Sequence, residues 1–407
     1  MDILPILSTL RRHKITAFLV IIEIALTCAI VCNAVFIISQ RLDRMSMTSG
    51  VDEHRLVHIL LADIGVTTDQ KARTQEDLAA LRQIPGVSDV ASVNEVPFGR
   101  SSSNSGIKLD PKQRMSTLNA TLYSGENIIP ALGAQLIAGR DLRPDEYADM
   151  DAVMHGVAVK DAKAIPHVVV ITKKMADRLW PGEQPLGKQI YLSDYPLTVV
   201  GVLKELIRPS IWDDSMASYS MVLPIRISSG QYVIHTASPQ DNERVLAAAL
   251  AKLKQINPHR VVLKKHTVDD MRYDFFQNDR AMAGLLVGVC VALLIVTALG
   301  IVGLGSFWVA QRRRQIGVRR ALGATKSNIL HYFQTENFLL ATIGIAVGMV
   351  MAYGINLLLM VHYELPRLPS IYFPIGAVLL WVIGQLAVLG PAMRAAAVPP
   401  VVATRSV

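Results

Sequence analysis

Residues 281–310 run for 30 positions without a charged side chain, and that stretch excludes an ordinary soluble fold. A helix needs about 20 apolar residues to cross the hydrocarbon core of a bilayer. The run exceeds that need, so the helix is expected to tilt or to extend past the bilayer as a stiff stalk. Residues 15–39, 337–361 and 371–393 are three further apolar stretches of spanning length. Directly after the charge-free run comes Gln311–Leu330, QRRRQIGVRRALGATKSNIL, with six basic side chains and no acid. Lys and Arg beside membrane ends stay on the cytoplasmic side, so this segment and both chain ends are expected inside.

The formal net charge is +8, and its location matters more than its size. Residues 40–280 hold 29 basic and 29 acidic side chains and are neutral, whereas residues 1–14, 311–336 and 391–407 together hold 11 basic and two acidic ones. The excess therefore flanks the membrane, and the basic pI is no nucleic-acid footprint. With 51% hydrophobic residues the chain reads as part membrane and part folded aqueous domain.

In order, residues 1–14 read as a cytoplasmic amphipathic start that could lie in the headgroup layer. Residues 15–39 read as span one, and Glu23 inside it is an intramembrane polar site, with a helix-contact role favoured over a functional one. Residues 40–280 read as the aqueous domain. Its first part is β-α-β, with strands at 55–61 and 87–93 around a helix at 74–84. Its last part repeats the pattern, with strands at 231–237 and 260–265 around a helix at 241–256. Two such units bracketing an insert, about residues 106–214, predict a split, ferredoxin-like core. Within the insert, strands are expected at 116–123, 167–171, 189–192 and 197–203, and Thr172 is expected to cap a short helix ending near Trp180. Residues 98–106 and 140–151 read as loops.

From Thr267 the pattern turns helical, with Thr267 as cap and Asp269 and Asp270 in the first turn, and runs without a breaker into span two, 281–310. Residues 311–336 follow as a cytoplasmic segment. Span three is 337–361, an outer hairpin 362–370, span four 371–393, and a cytoplasmic tail 394–407. Gly284/Gly288 and Gly344/Gly348 are pairs that permit close helix approach. The fold class is thus an α-helical membrane protein with four transmembrane helices plus a large α+β extracytoplasmic domain.

Catalytic patterns are missing from the sequence. Residues 182–188, GEQPLGK, match the start of a phosphate-binding loop, but Gln189 replaces the magnesium-binding hydroxyl and the flanking helix–strand order is reversed. The segment reads as a turn. His54 and His58 read as a solvated pair rather than a zinc site, and Cys28 and Cys32, four apart on a helix, as packing residues. No metal, cofactor or catalytic residue is expected. The domain outside could instead belong to a membrane-anchored sensor or receptor, although the short cytoplasmic pieces supply no signalling domain.

At QRRRQIGVRRALGATKSNILHYFQTENFLL the sequence closely resembles the FtsX/MacB family of ABC-transporter permeases. VVVITKKMADRLWPGEQPLGKQIYLSDYPLTVVGVLKE resembles the family's MacB-type extracytoplasmic domain, and PAMRAAAVPPVVATR its C-terminal tail. Gln315 stands where the family more commonly has Glu, and no ATPase domain is fused at the N-terminus as in MacB itself. The resemblance implies a non-catalytic subunit of a bacterial inner-membrane transporter, multi-pass, paired with an identical or related permease. ATP and magnesium would be bound by a cytoplasmic ABC ATPase on another polypeptide. Arg319, Arg320, Leu322, Gly323 and Ala324 are the expected ATPase-coupling residues, and Arg312, Arg313 and Arg314 the expected headgroup contacts. The resemblance further implies drug or peptide efflux by mechanotransmission through a periplasmic adaptor and outer-membrane channel. Lipoprotein release or activation of a cell-wall hydrolase is the family alternative.

Overall fold

The computed structural model describes residues 14–64, 69–363 and 367–399. The amphipathic start at 1–13, part of the hairpin at 364–366 and the tail from 400 lie outside the described residues. The chain divides into two compact units, Ser46–Gln277 and a membrane unit made of the remainder.

Unit Ser46–Gln277 contains two sheets and a small β pair. Its strands are β1 (Leu56–Asp63), β2 (Val87–Ser92), β3 (Asn104–Lys108), β4 (Leu118–Ser124), β5 (Leu136–Gly139), β6 (Ala148–Asp149) and β7 (Val168–Thr172). They continue as β8 (Gln189–Leu192), β9 (Tyr195–Leu203), β10 (Ser220–Leu223), β11 (Ile225–Arg226), β12 (Gln231–Thr236) and β13 (Arg260–Thr267). Its α-helices are α1 (Gln70–Arg82), α2 (Ile128–Ala131), α3 (Met150–Val159), α4 (Lys173–Leu179), α5 (Asn242–Ile256) and α6 (Val268–Phe275).

The first sheet has the order β13-β1-β12-β2, with every neighbouring pair antiparallel. It is built from β1-α1-β2 and β12-α5-β13, the split core that the two hydrophobic patterns predict. Alternation places Val57, Ile59 and Leu61 of β1 with Tyr232 and Ile234 of β12 on one face. Leu78 and Leu81 of α1 and Val245, Ala249 and Leu253 of α5 bury that face. Tyr232 donates to Asp77 Oδ2 at 2.6 Å and Arg260 Nη1 to the same oxygen at 2.6 Å, so this buried acid is paired with a cation through one of its two oxygens. His58 departs from expectation. It faces away from that core, is 2% exposed rather than solvated, and burial beside Lys264 and His266 pushes its pKa down to about 3.

The second sheet has the order β5-β9-β7-β10-β4-β3-β8, and β8 also pairs with β9. Six strands thereby close into a ring around Ile107, Val169, Ile171, Ile190, Val199 and Met221. Three of its features depart from the sequence reading. Strand β3 occupies part of the expected 98–106 loop, β10 carries the insert's sheet past residue 214, and α3 starts inside the expected 140–151 loop. Helix α4 does begin after Thr172 and stop before Pro181. The Thr172 hydroxyl, however, donates to Ser218 O at 2.5 Å instead of capping the helix. The GEQPLGK segment is a turn into β8 with Gly182 and Gly187 at φ +76° and +80°. Lys188 there pairs with Glu183 and covers the Trp180 ring.

Helix α6 has the expected cap: Asp270 N donates to Thr267 Oγ1 at 3.1 Å, and the Asp270 carboxylate accepts in return from the Thr267 hydroxyl at 2.7 Å. The unbroken stalk does not follow. Helix α6 ends at Phe275, Phe276 leaves helical geometry, and a new helix starts at Gln277. Phe276 is held at that break by edge-on contacts with Phe98 and Phe275, with the Arg272 guanidinium 5.6 Å from its ring centre. Aromatic burial overrides the helical pattern here.

The membrane unit contains span one (Lys14–Met45), span two (Gln277–Gln311), span three (Lys326–Tyr363) and span four (Tyr372–Ala396), with helix α7 (Arg313–Ala321) between spans two and three. Spans one to three have 32, 35 and 38 residues. At 1.5 Å per residue they exceed a hydrocarbon core of about 30 Å. Span one lies against span three, where Gly344 meets Ile24 and Gly348 meets Cys28 and Ala25. Gly376 of span four meets Cys32 Sγ, which makes Cys28 and Cys32 packing residues. Among the described residues no His/Cys/Asp/Glu cluster could hold a metal. Span two is tied to span one at one end by Arg41–Asp279, 2.8 Å, and midway by the Thr27 and Thr297 hydroxyls, 2.8 Å apart.

Candidate functional site

The basic turn is assembled by capping chemistry that its sequence spells out. After span two the chain bends at Arg312 and forms α7. The helix stops at Leu322 because Gly323 takes the left-handed conformation, φ +99°. Gly323 N then donates to Arg320 O at 3.2 Å and Ala324 N to Arg319 O at 3.0 Å, a Schellman stop. Two residues on, Thr325 Oγ1 accepts from Asn328 N at 3.2 Å and starts span three. Ala-Leu-Gly-Ala-Thr is therefore one helix stop joined to one helix start.

Charged and apolar contacts fix this turn from beneath. Ile316 of α7 is buried among Ile329 and Phe333 of span three and Ala392, Ala395 and Ala396 of span four. Arg320 donates through Nη1 to Ala396 O at 3.0 Å and Val398 O at 2.7 Å, tying α7 to the end of span four. Arg319 lies over the Tyr332 ring at 4.9 Å. Ala324 packs at the margin of the same cluster, while Leu322 is 84% exposed at the tip. An added Cβ on Gly323 would meet nothing within 4 Å, so the tip is open as well as rigidly held.

Arg312 corrects the expected headgroup role. It is 6% exposed, and its Nη1 contacts both oxygens of Glu336, at 3.0 and 2.8 Å. The guanidinium also lies 5.5 Å from the centre of the Trp308 ring one turn back. A cation so enclosed and paired cannot reach lipid phosphate. Arg313 and Arg314 are exposed, as a headgroup contact requires. Sequence reasoning overlooked Glu336 as a site residue. The available signal was that it is the sole acid between residues 311 and 361, directly before an apolar run. An acid there calls for a cation close by.

Glu23 stands apart from this site. It is half-buried in span one, and its carboxylate lies against the backbone of Gly300 in span two, where a Cβ would come within 2.5 Å of both oxygens. Thr27, one turn along, makes the hydroxyl contact to Thr297. The structure thus gives Glu23 a helix-contact position between spans one and two.

Comparison with known proteins meets this geometry at both units. A family model described as MacB-like periplasmic core domain matches residues 15–253, and one described as FtsX-like permease C-terminal matches residues 287–400. The chain belongs to the FtsX/MacB family of ABC transporter permeases. With four helices among the described residues long and apolar enough to cross a bilayer, it is a multi-pass membrane protein. The uncharacterized ABC transporter permease YvrN of Bacillus subtilis is 26% identical over 279 residues, 64% of this chain and 68% of YvrN. The macrolide export ATP-binding/permease protein MacB of Neisseria meningitidis is 29% identical over 262 residues, 60% of this chain and 36% of MacB. The chain thus spans about a third of that relative's length. Among solved structures, the extracellular domain of the transporter YknZ from Gram-positive bacteria matches 51% of this chain and 100% of its own, at 17% identity and a TM-score of 0.33.

Proposed function

We propose that this chain is the membrane subunit of a bacterial inner-membrane exporter. In this reading it transmits ATP-driven movement to its outer domain and does not pass substrate between its own helices. The observation that carries the reading is the α7 turn: a rigidly anchored helix ending in an exposed Leu322–Gly323 tip. A cytoplasmic ATPase, lying outside these 407 residues, grips Leu322, Gly323 and Ala324, with Arg319 as the flanking charge. Arg320 is already committed to carbonyls of span four and acts as an anchor rather than as a contact. ATP and magnesium belong to that ATPase.

Basic residues cluster at the α7 end of spans two and three, which supports a cytoplasmic placement of the turn and of both chain ends. Four crossings then leave residues 46–277 outside. A push on α7 passes through the buried Arg312–Glu336 pair into the bases of spans two and three together. Span two shows open glycines, Gly284 and Gly288, with no atom within 4 Å of an added Cβ, which supports a second permease along that face. Relatives named for macrolide export and syringafactin export support efflux of a drug or peptide as the task.

The test is ATPase turnover by the cognate ATPase in nanodiscs with and without this chain. Leu322→Asp is the informative variant, because the side chain is exposed and its loss leaves the turn intact. A substitution at Gly323 would confound docking with backbone strain at φ +99°. We expect Leu322→Asp to reduce stimulation by roughly tenfold or more, the range of an interface hot spot. Undiminished stimulation refutes the docking site. Labelling of a tag at Ser327 by an impermeant reagent in intact cells refutes the orientation.

A further inference from the structure

A groove of about 440 Å³ lies between the α7 end of span two and the end of span four. One wall is Ser306, Val309 and Ala310, one face of the end of span two, together with Arg313 at the start of α7. The other wall is Pro391, Arg394, Ala397 and Val398 from the end of span four. Val309, Ala310, Pro391, Ala397 and Val398 make the groove apolar. Arg313 and Arg394 each supply a guanidinium, and both residues are exposed. Among the described residues neither arginine has a hydrogen-bond or ion-pair partner, unlike Arg312 and Arg320 nearby, which are both engaged. Two like charges lining one apolar groove favour an anion bound there.

We propose that this groove binds the phosphate headgroup of an anionic phospholipid, with Arg313 and Arg394 as its ligands. The anion that two guanidinium groups recognise is a phosphate ester, and arginine forks match its oxygens in pairs. The apolar walls decide for a lipid over a free phosphate. They lie beside the two guanidinium-bearing residues at the ends of two helices long and apolar enough to cross a bilayer. A molecule with a charged head and acyl chains satisfies both parts of the groove, whereas a bare ion leaves the walls unmatched. The bound lipid would fill the gap between the base of span two and the base of span four, beside the helix that Arg320 ties down. The proposal requires only that the four helices cross a bilayer, and it stands whether or not an ATPase docks on Leu322.

Native mass spectrometry of the full chain, purified in mild detergent and stripped of lipid, tests the site. The probes are phosphatidylglycerol, phosphatidylcholine with the same acyl chains, and inorganic phosphate. Each interfacial arginine contributes measurably to binding an anionic lipid, so phosphatidylglycerol should be retained about tenfold more than phosphatidylcholine. The Arg313→Gln, Arg394→Gln double variant should lose that preference, and Arg394→Gln alone should lose about half of it on a logarithmic scale. Lys252→Gln, which alters an exposed cation on α5 in the other unit, should keep it. Both groove arginines are exposed and have no hydrogen-bond or ion-pair partner among the described residues, so an unchanged thermal unfolding midpoint is expected for their replacement. Equal retention of the two lipids, undiminished preference in the double variant, or inorganic phosphate bound as tightly as phosphatidylglycerol would each overturn the assignment.

Discussion

Span two and span three contain 35 and 38 residues, are similarly apolar, and each carries two glycines four positions apart. Their surroundings differ. An added Cβ on Gly348 would lie 2.5 Å from Cys28 Cβ and 2.7 Å from Ala25 O, and one on Gly344 would lie 2.9 Å from Ile24 Cβ. Span three also accepts a hydrogen bond at Ala352 O from Asn33 of span one, 3.0 Å. On span two, Gly284 and Gly288 face open space, and exposed Leu285, Val289, Val296 and Leu299 occupy much of the surface. A glycine pair therefore states that a close approach is permitted without stating which helix approaches. Span three has spent its pair inside the unit, and span two has kept its pair free for another chain or for lipid.

The largest effect should come where the two spans meet at the α7 end. Glu336→Ala strands the buried Arg312 guanidinium and should cost about 3–5 kcal/mol, read as a lowered unfolding midpoint in detergent. Replacing both partners by leucine should recover most of that loss. A double variant as unstable as the single one would show that the pair is not what joins the spans.

A smaller loss, about 1–3 kcal/mol, is expected for Gly348→Leu, which drives a side chain into span one. The matching change on span two, Gly284→Leu with Gly288→Leu, should leave the unfolding midpoint within about 0.5 kcal/mol of wild type. It should also weaken self-association measured by crosslinking in nanodiscs. Equal destabilisation by the two glycine changes would abolish the contrast between the spans. The smallest effect is expected for Thr297→Val, which removes the hydroxyl contact from span two to span one. Intramembrane hydrogen bonds contribute about 0.6 kcal/mol on average, so only a slight shift of the midpoint should be seen.

Much of unit Ser46–Gln277 was legible because its signals are local. The two β-α-β patterns, the Thr267 cap and the helix between Thr172 and Trp180 depend on periodicity and turn residues within a few positions. The parts that escaped depend on distant pairing. Strand β10 is four residues long and counts as a strand because Thr121–Ser124 and Val170–Ile171 flank it. Helix α3, MDAVMHGVAV, mixes β-branched residues and glycine that argue against a helix. The break at Phe276 was invisible for the same reason, since Phe98 lies far away in sequence.

At the basic turn the division is sharper. The position of the basic segment between two spans was readable, and its bend is encoded locally, because Leu-Gly-Ala-Thr joins a helix stop to a helix start through backbone geometry alone. The duties of the individual arginines were not. Arg312, Arg313, Arg319 and Arg320 are chemically identical and closely spaced. Only packing makes the first an ion-pair partner of Glu336, the second a groove wall, the third a ring cover and the last an anchor of span four. Composition and periodicity determined that the chain carries four helices long and apolar enough to cross a membrane among its described residues, and a separate split α/β core, since both follow from the transfer of apolar groups out of water. Which helix each glycine touches, and which arginine remains free, was decided by tertiary structure, because such contacts join residues hundreds of positions apart.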